Sequence, residues 1–269
     1  MEKTFAITLN VEEPWYIKKS KLDPLSRNLD IWLDFIRGSK FQCPNCGKPD
    51  CSAYDTKEKV LRHTDYFQYA TFLHCRVPRV KCSNCGILQI KVPWARELSG
   101  FTLQMEAMIL ELSKEMPVLK VGNFLGETDK KLWRVINHYV VQARSKEDFS
   151  DVSVIGVDET SSKKGHEYIT LVVDIKSSKV IFVCEGKDSS TITNFSDDFQ
   201  NHNGNPTNVK SACIDMSPSY IKGISKEIPN ARITFDKFHV MKMMNEGVNE
   251  VRKQEQKKIR NSKKQNSYG

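Results

Sequence analysis

Two Cys-x-x-Cys pairs, each followed at once by glycine, constrain this chain more than any other feature: Cys43-Pro44-Asn45-Cys46-Gly47 and Cys82-Ser83-Asn84-Cys85-Gly86. A turn of this length aims two thiolates at one cation, and the glycine permits a left-handed backbone just beyond them. Two such turns supply four thiolates, a closed tetrahedral set with no position left for water, so they point to structural zinc and not to a catalytic metal. Between the pairs, Val60 to His63, Tyr66 to Leu73 and Arg76 to Val80 alternate as the strands of a ribbon would. Ordinary reduced cysteines in turns are the plain alternative. A thioredoxin-like redox pair is disfavoured because neither pair opens a helix after a buried strand. Cys51, Cys75 and His74 are isolated alternative ligands, whereas Cys184 and Cys213 fall on strands expected to be buried, where cysteine packs as a small apolar group.

A disulfide framework does not fit. The N-terminus shows no basic stretch followed by an apolar core and a small-residue cleavage site, and no apolar run approaches the roughly eighteen residues that span a bilayer. A reducing cytoplasmic setting without a membrane partner is expected. The formal net charge of +8 and pI near 9.0 favour a polyanionic partner, nucleic acid first.

Three composition regimes follow one another. Residues 1–98 are aromatic and turn-rich, with Pro14, Pro24, Pro44, Pro49, Pro78 and Pro93 interrupting any long helix, and read as an N-terminal region carrying the zinc ribbon at about 41–98. Residues 99–148 have a helical apolar period and fit three short helices: around Leu103 to Leu110, around Val118 to Leu125, and from Thr128 to Ala143. Pro117 to Leu125, then Gly126, then an amphipathic helix that Thr128 can cap, is the order of a helix-turn-helix unit. The final helix carries Lys130, Lys131, Trp133, Arg134, Asn137 and His138 off its apolar stripe, a set able to reach phosphates and base edges of duplex DNA. A plain three-helix packing unit with a solvated charged face is the alternative.

After a polar linker at Ser145 to Ser150, residues 151–269 read as strand (152–158), strand (167–175), strand (179–184), helix (189–201), strand (209–215), helix (218–227), strand (231–235) and helix (238 to about 260), a mixed α/β sheet. A weak turn at Ser177-Ser178 joins the second and third strands. Asp158 and Asp215 each directly follow an apolar strand. If those strands are neighbours the two carboxylates converge, and such hard oxygen donors suit magnesium or manganese in phosphoryl transfer. Glu159 is expected on the opposite side from Asp158. The last helix runs into the basic stretch Arg252, Lys253, Lys257, Lys258, Arg260, Lys263 and Lys264.

Zinc knuckles, helix-turn-helix and a strand reading Ile155-Gly156-Val157-Asp158-Glu159 together resemble the bacterial insertion-sequence transposases of the IS-L-three family. The resemblance continues through Ile214-Asp215-Met216-Ser217-Pro218-Ser219-Tyr220 and Phe235-Asp236-Lys237-Phe238-His239-Val240, so that it covers about Phe41 to Arg252. It implies a multidomain chain: a small zinc ribbon, an all-α helix-turn-helix, and an α/β ribonuclease-H-like mixed sheet, incomplete here. It also implies that Asp158 and Asp215 are catalytic and hold magnesium or manganese together with a later glutamate. That glutamate is expected beyond this chain; Glu246 and Glu250 on the last helix read as solvated acids, and Asp236 with His239 as accessory site residues. The implied activity is metal-dependent cleavage and transfer of DNA strands at insertion-sequence terminal repeats and target DNA, with a homo-oligomer left open. Two rival readings stand beside it: a DNA-binding fragment that cannot cleave and competes with an intact transposase, and a zinc-ribbon transcriptional regulator.

Overall fold

The computed structural model describes residues 2–163 and 167–265, with side chains described through 161 and from 167 to 258. It divides between Gln142 and Ala143 into two units. In the first, a short helix α1 (Glu2–Thr8) precedes strands β1 (Trp15–Asp23), β2 (Asn28–Phe35), β3 (Lys40–Phe41), β4 (Cys51–Tyr66), β5 (Tyr69–Cys82) and β6 (Gly86–Gln89). The strand order is β1-β2-β5-β4-β3, with β6 also paired to β5. All pairs are antiparallel except β2 with β5. Alternation decides which face is covered: Leu29, Ile31 and Leu33 of β2 and Leu73, Cys75 and Val77 of β5 turn to one side, where Phe5, Trp15 and Trp94 complete a core. Fully burying each such aliphatic side chain contributes about 1.5–3 kcal/mol.

This region is larger than the finger-type ribbon the sequence suggested, because β1 and β2 extend the ribbon hairpin into a wide sheet. The hairpin also differs from the expected three strands. Tyr66 to Leu73 is not one strand, since the chain reverses at Phe67 and Gln68. Phe67 takes φ 54° there, a left-handed conformation that a residue other than Gly or Asn seldom signals in a sequence.

The three expected helices are present as α2 (Leu103–Glu115), α3 (Val118–Leu125) and α4 (Asp129–Arg144). The Thr102 hydroxyl caps α2 by accepting the Met105 N–H at 3.3 Å. Phe101, Met105, Ile109, Val121, Leu125, Leu132 and Val135 form the helical core. The turn from α3 into α4 depends on two glycines. Gly126 sits at φ 67°, and a Cβ on Gly122 would lie 2.7 Å from the Glu127 carbonyl oxygen. Thr128 contributes its carbonyl, which accepts the Lys131 and Leu132 N–H groups, while the Asp129 carboxylate accepts the Lys130 N–H at 2.8 Å.

The second unit contains β7 (Val154–Lys163), β8 (Glu167–Asp174), β9 (Lys179–Glu185), α5 (Ser189–Asn201), a 3-10 turn (Pro206–Asn208), β10 (Ser211–Ile214), α6 (Pro218–Glu227), β11 (Arg232–Phe235) and α7 (Lys237–Gln265). Its sheet has the order β11-β10-β7-β8-β9, with an antiparallel β7-β8-β9 meander and parallel β7, β10 and β11. This is a ribonuclease-H-like mixed sheet. Ile155, Val157, Val172, Ala212 and Ile214 face Ile192, Phe195 and Phe199 of α5 and Tyr220 and Ile224 of α6. The Tyr220 hydroxyl meets Thr170 Oγ1 at 2.9 Å, which satisfies the polar tip of a fully buried ring. The β8–β9 turn lies where expected and is held by the Asp174 carboxylate, which accepts the Lys176 and Ser177 N–H groups.

Three expectations change here. β7 continues through Thr160 to Lys163, so Asp158 lies inside a strand and not at its end. Phe149, placed in the polar linker by composition, is buried in the second core, with its N–H donating to the His202 carbonyl at 2.8 Å. Cys184 and Cys213 are half-buried, not buried.

Candidate functional site

The two knuckles meet. β3–β4 carries one and β5–β6 the other, and the Sγ atoms of Cys43, Cys46, Cys82 and Cys85 all lie within 4.8 Å of one another. Gly47 and Gly86 take φ 72° and 80°, the left-handed step their positions suggested. The Cys46 and Cys82 sulfurs are 3.7 Å apart, and the Asn45 side-chain amide donates to Cys85 Sγ at 3.4 Å. The N–H of Asn84, and after the opposing effect of burial that of Cys85, bring the Cys82 thiol down to about 6. At Cys46 the Lys48 N–H pulls downward, but the neighbouring Cys85 and Cys43 thiols outweigh it and raise the group to about 12. Four crowded thiols therefore cannot all ionise by themselves, whereas a soft divalent cation at their centre would stabilise every thiolate; the donor set fits zinc.

The isolated alternatives lie outside this set. Cys51 is buried beside it with its thiol raised, first by burial and then by Cys82. Cys75 belongs to the sheet core, where burial pushes its thiol up to about 12. His74 Nε2 contacts Asp30 Oδ1 at 2.6 Å and its ring stacks on Trp32.

On α4 the structure separates the residues that the sequence grouped. Helical spacing places Lys130, Trp133 and Asn137 along one outward stripe, with Trp133 54% exposed. Lys131 and Arg134 turn instead toward β4 and the loop before α2, where they line a cavity together with Arg62 and Arg96. Lys131 Nζ is 2.7 Å from Glu127 Oε2, and Arg62 Nε is 3.8 Å from Glu127 Oε1. Arg62 and Arg96 escaped the sequence reading because nothing local distinguishes them from solvated surface arginines.

The carboxylates are brought together by register. Val157, Ile214 and Phe235 are aligned across β7, β10 and β11, and each is followed directly by an aspartate: Asp158, Asp215 and Asp236. Three acids thus stand level across three adjacent parallel strands, Asp215 and Asp236 just past the ends of β10 and β11 and Asp158 within β7. Asp158 is exposed and Asp215 half-buried, with Asp215 Oδ1 accepting the Ser217 N–H at 2.9 Å. His239 Nδ1 lies 2.9 Å from Asp236 Oδ2, and this contact, with the Phe238 N–H, holds the Asp236 carboxyl below its ordinary range. Glu159 alternates to the helix-covered face, close enough to Tyr220 to raise that phenol further. Glu246 and Glu250 are exposed on α7, and Glu250 pairs with Lys253 at 3.5 Å. Among the described residues, only the four cysteines bring three or more potential ligand atoms this close. The aspartates are neighbours by strand register, with hard oxygen donors suited to a divalent cation.

Comparison with known proteins is consistent along the chain. Residues 39–85 match the family profile described as the zinc-finger of transposase IS204/IS1001/IS1096/IS1165. Residues 90–140 match the helix-turn-helix domain of transposase family ISL3, and residues 155–269 match that family's transposase profile. The transposase for insertion sequence element IS1001 of Bordetella parapertussis is 27% identical over 221 residues, which is 81% of this chain and 53% of that protein. The transposase for insertion sequence element IS1557 of Mycobacterium tuberculosis is 26% identical over 219 residues, 79% of this chain and 48% of that protein. The chain therefore spans about half the length of these relatives. No described helix is long and apolar enough to cross a membrane.

Proposed function

The chain belongs to the ISL3 family of transposases, and on that footing we propose that it recognises the ends of an insertion sequence and contributes to cleavage and transfer of DNA strands. Residues 41–144, which take in the ribbon at about 41–98 and the helix-turn-helix within 99–148, form the DNA-binding part. Residues 151–269 form the catalytic part. One zinc held by Cys43, Cys46, Cys82 and Cys85 fixes the ribbon and leaves no open position for chemistry. Lys130, Trp133 and Asn137 face the groove, while Lys131 and Arg134 serve the backbone. The setting is cytoplasmic.

The observation that carries the catalytic reading is the register that puts Asp158 beside Asp215. These two side chains hold magnesium or manganese, with Asp236 and His239 as accessory groups next in line. The bound cation supplies Lewis acidity for in-line displacement at a phosphodiester. Asp158 and Asp215 are two of the three acids that the family resemblance implies for holding the cation. A chain that binds element ends without cutting would act as a competitor of an intact transposase.

Manganese titration followed by water-proton relaxation tests the carboxylate assignment. Asp158→Asn and Asp215→Asn should each weaken binding roughly tenfold or more, as loss of a ligand demands. Unchanged manganese affinity in both variants would remove the site. Robust DNA cleavage by the unaltered chain, abolished by both substitutions, would instead mean that a third ligand is present within it.

A further inference from the structure

Between the sheet of the first unit and α4 lies a cavity of about 330 Å³, within the size range of small-ligand sites. Four cations from three segments line it: Arg62 of β4, Arg96 of the loop before α2, and Lys131 and Arg134 of α4. Glu127 is the one acid in its wall. Their hydrogen bonds show which of them are occupied. Arg62 is 6% exposed in its side chain and fully engaged: Nη1 donates to the carbonyls of His63 and Thr71, Nη2 to Asp65, and Nε approaches Glu127. Lys131 shares Glu127 with it. These contacts fasten the start of α4 to the sheet, which is a sufficient structural role for both.

That role does not account for the other two. Arg96 uses only Nε, at 2.8 and 3.0 Å from the oxygens of the fully buried Glu106, which the Ser99 and Tyr139 hydroxyls also contact. The Glu106 carboxylate thereby anchors the guanidinium, while the two terminal nitrogens of Arg96 remain uncommitted among the described residues. Arg134, one turn beyond Lys131, is exposed and has no partner among the described residues. The cavity thus offers a planar donor fork on a rigid support and a second free guanidinium. Such donors match the tetrahedral oxygens of a phosphate group.

We propose that this cavity is a phosphate site: it takes one backbone phosphate of duplex DNA between the loop before α2 and α4, while the outward stripe of α4 meets the groove. The proposal rests on the DNA-binding reading above and adds to it a contact made by Arg96, in the loop before α2. A bound phosphate would also hold α4 in one register on the duplex, because it fixes the helix to a backbone position independently of base contacts.

The test uses the full 269-residue chain and a fluorescently labelled duplex, with binding measured by anisotropy over a series of salt concentrations. Arg134→Gln removes a free, exposed charge without disturbing the fold; it should weaken binding roughly tenfold at low salt and reduce the log–log salt slope by about one. Arg96→Lys keeps the charge and the Glu106 pairing but loses the fork, so the slope should hold while affinity falls severalfold. Lys114→Gln, on the exposed side of α2, should change neither. Salt-dependent duplex binding that is identical in the unaltered chain, Arg134→Gln and Arg96→Lys would overturn the phosphate site and leave the DNA-binding reading standing. No duplex binding by the unaltered chain would overturn both. Inorganic phosphate is the second probe: if it binds in an Arg134-dependent manner without competing against the duplex, the cavity serves a free anion and the DNA assignment fails.

Discussion

His63 lies at the join between β4 and α2, with its Nδ1 2.9 Å from the Thr102 hydroxyl that caps α2. Burial, and secondarily the charge of Arg62, lower its pKa to about 4. The ordinary value is 6.5, so between these limits the unfolded chain binds more protons than the folded one. Stability supported by neutral His63 is complete above pH 6.5, declines as the pH falls toward 4, and changes no further below that. The decline is at most about 3 kcal/mol. All four tryptophans, Trp15, Trp32, Trp94 and Trp133, belong to the first unit, so their fluorescence in denaturant reports on it selectively. The unaltered chain should lose resistance to denaturant between pH 6.5 and 4.5, and His63→Gln should flatten that interval. An equally steep loss in the variant would show that other groups carry it. At this scale the sequence was informative only where chemistry is local. The four zinc-type cysteines were recognisable from spacing, whereas the charge on Lys131 said nothing of Glu127 beside it or of Arg62 and Arg96 across the cavity.

Among elements, the knuckles make the sharpest demand. Only a hairpin as long as β4–β5 brings Cys43 and Cys46 to Cys82 and Cys85, and beyond Cys43, Cys51 and Cys82 the apolar packing near its ends comes from buried Val80 with partly buried Phe41 and Leu88. Metal affinity therefore contributes directly to folding. Purified chain should contain one zinc by elemental analysis. Cys82→Ser combined with Cys85→Ser should abolish it and lower the thermal transition seen by tryptophan fluorescence. Zinc-free protein, or an unchanged transition in the double variant, would count against the site. The elements of the second unit were readable because apolar runs of strand length are separated by amphipathic stretches, a pattern that a sheet covered by α5 and α6 imposes. The far half of β7 was not, since Thr160 and Ser161 extend the β7–β8 ladder through backbone hydrogen bonds that leave no side-chain period. The sheet formed by β1 and β2 was equally hidden: its parallel pairing with β5 joins segments distant in the chain, and no local turn signal announces such a contact.

For the molecule as a whole, the order of parts was legible and their cooperation was not. Ribbon, helix-turn-helix and mixed sheet follow one another in the sequence just as the three family profiles match it in succession, and the +8 charge agrees with a polyanionic partner. What sequence could not supply is convergence: Asp158, Asp215 and Asp236 become neighbours only through strand register, and the four cations of the cavity only through the packing of α4 on the sheet. The central claim is that the chain engages duplex DNA through its first unit by displacing counterions from phosphates. The measurement that reaches it most directly is duplex affinity of the unaltered, zinc-loaded chain between about 50 and 200 mM salt, the range over which phosphate-binding proteins are compared. The account predicts tight binding at the lower end and a log–log slope of several units. Binding that is insensitive to salt, or absent at the lower concentration, would contradict it.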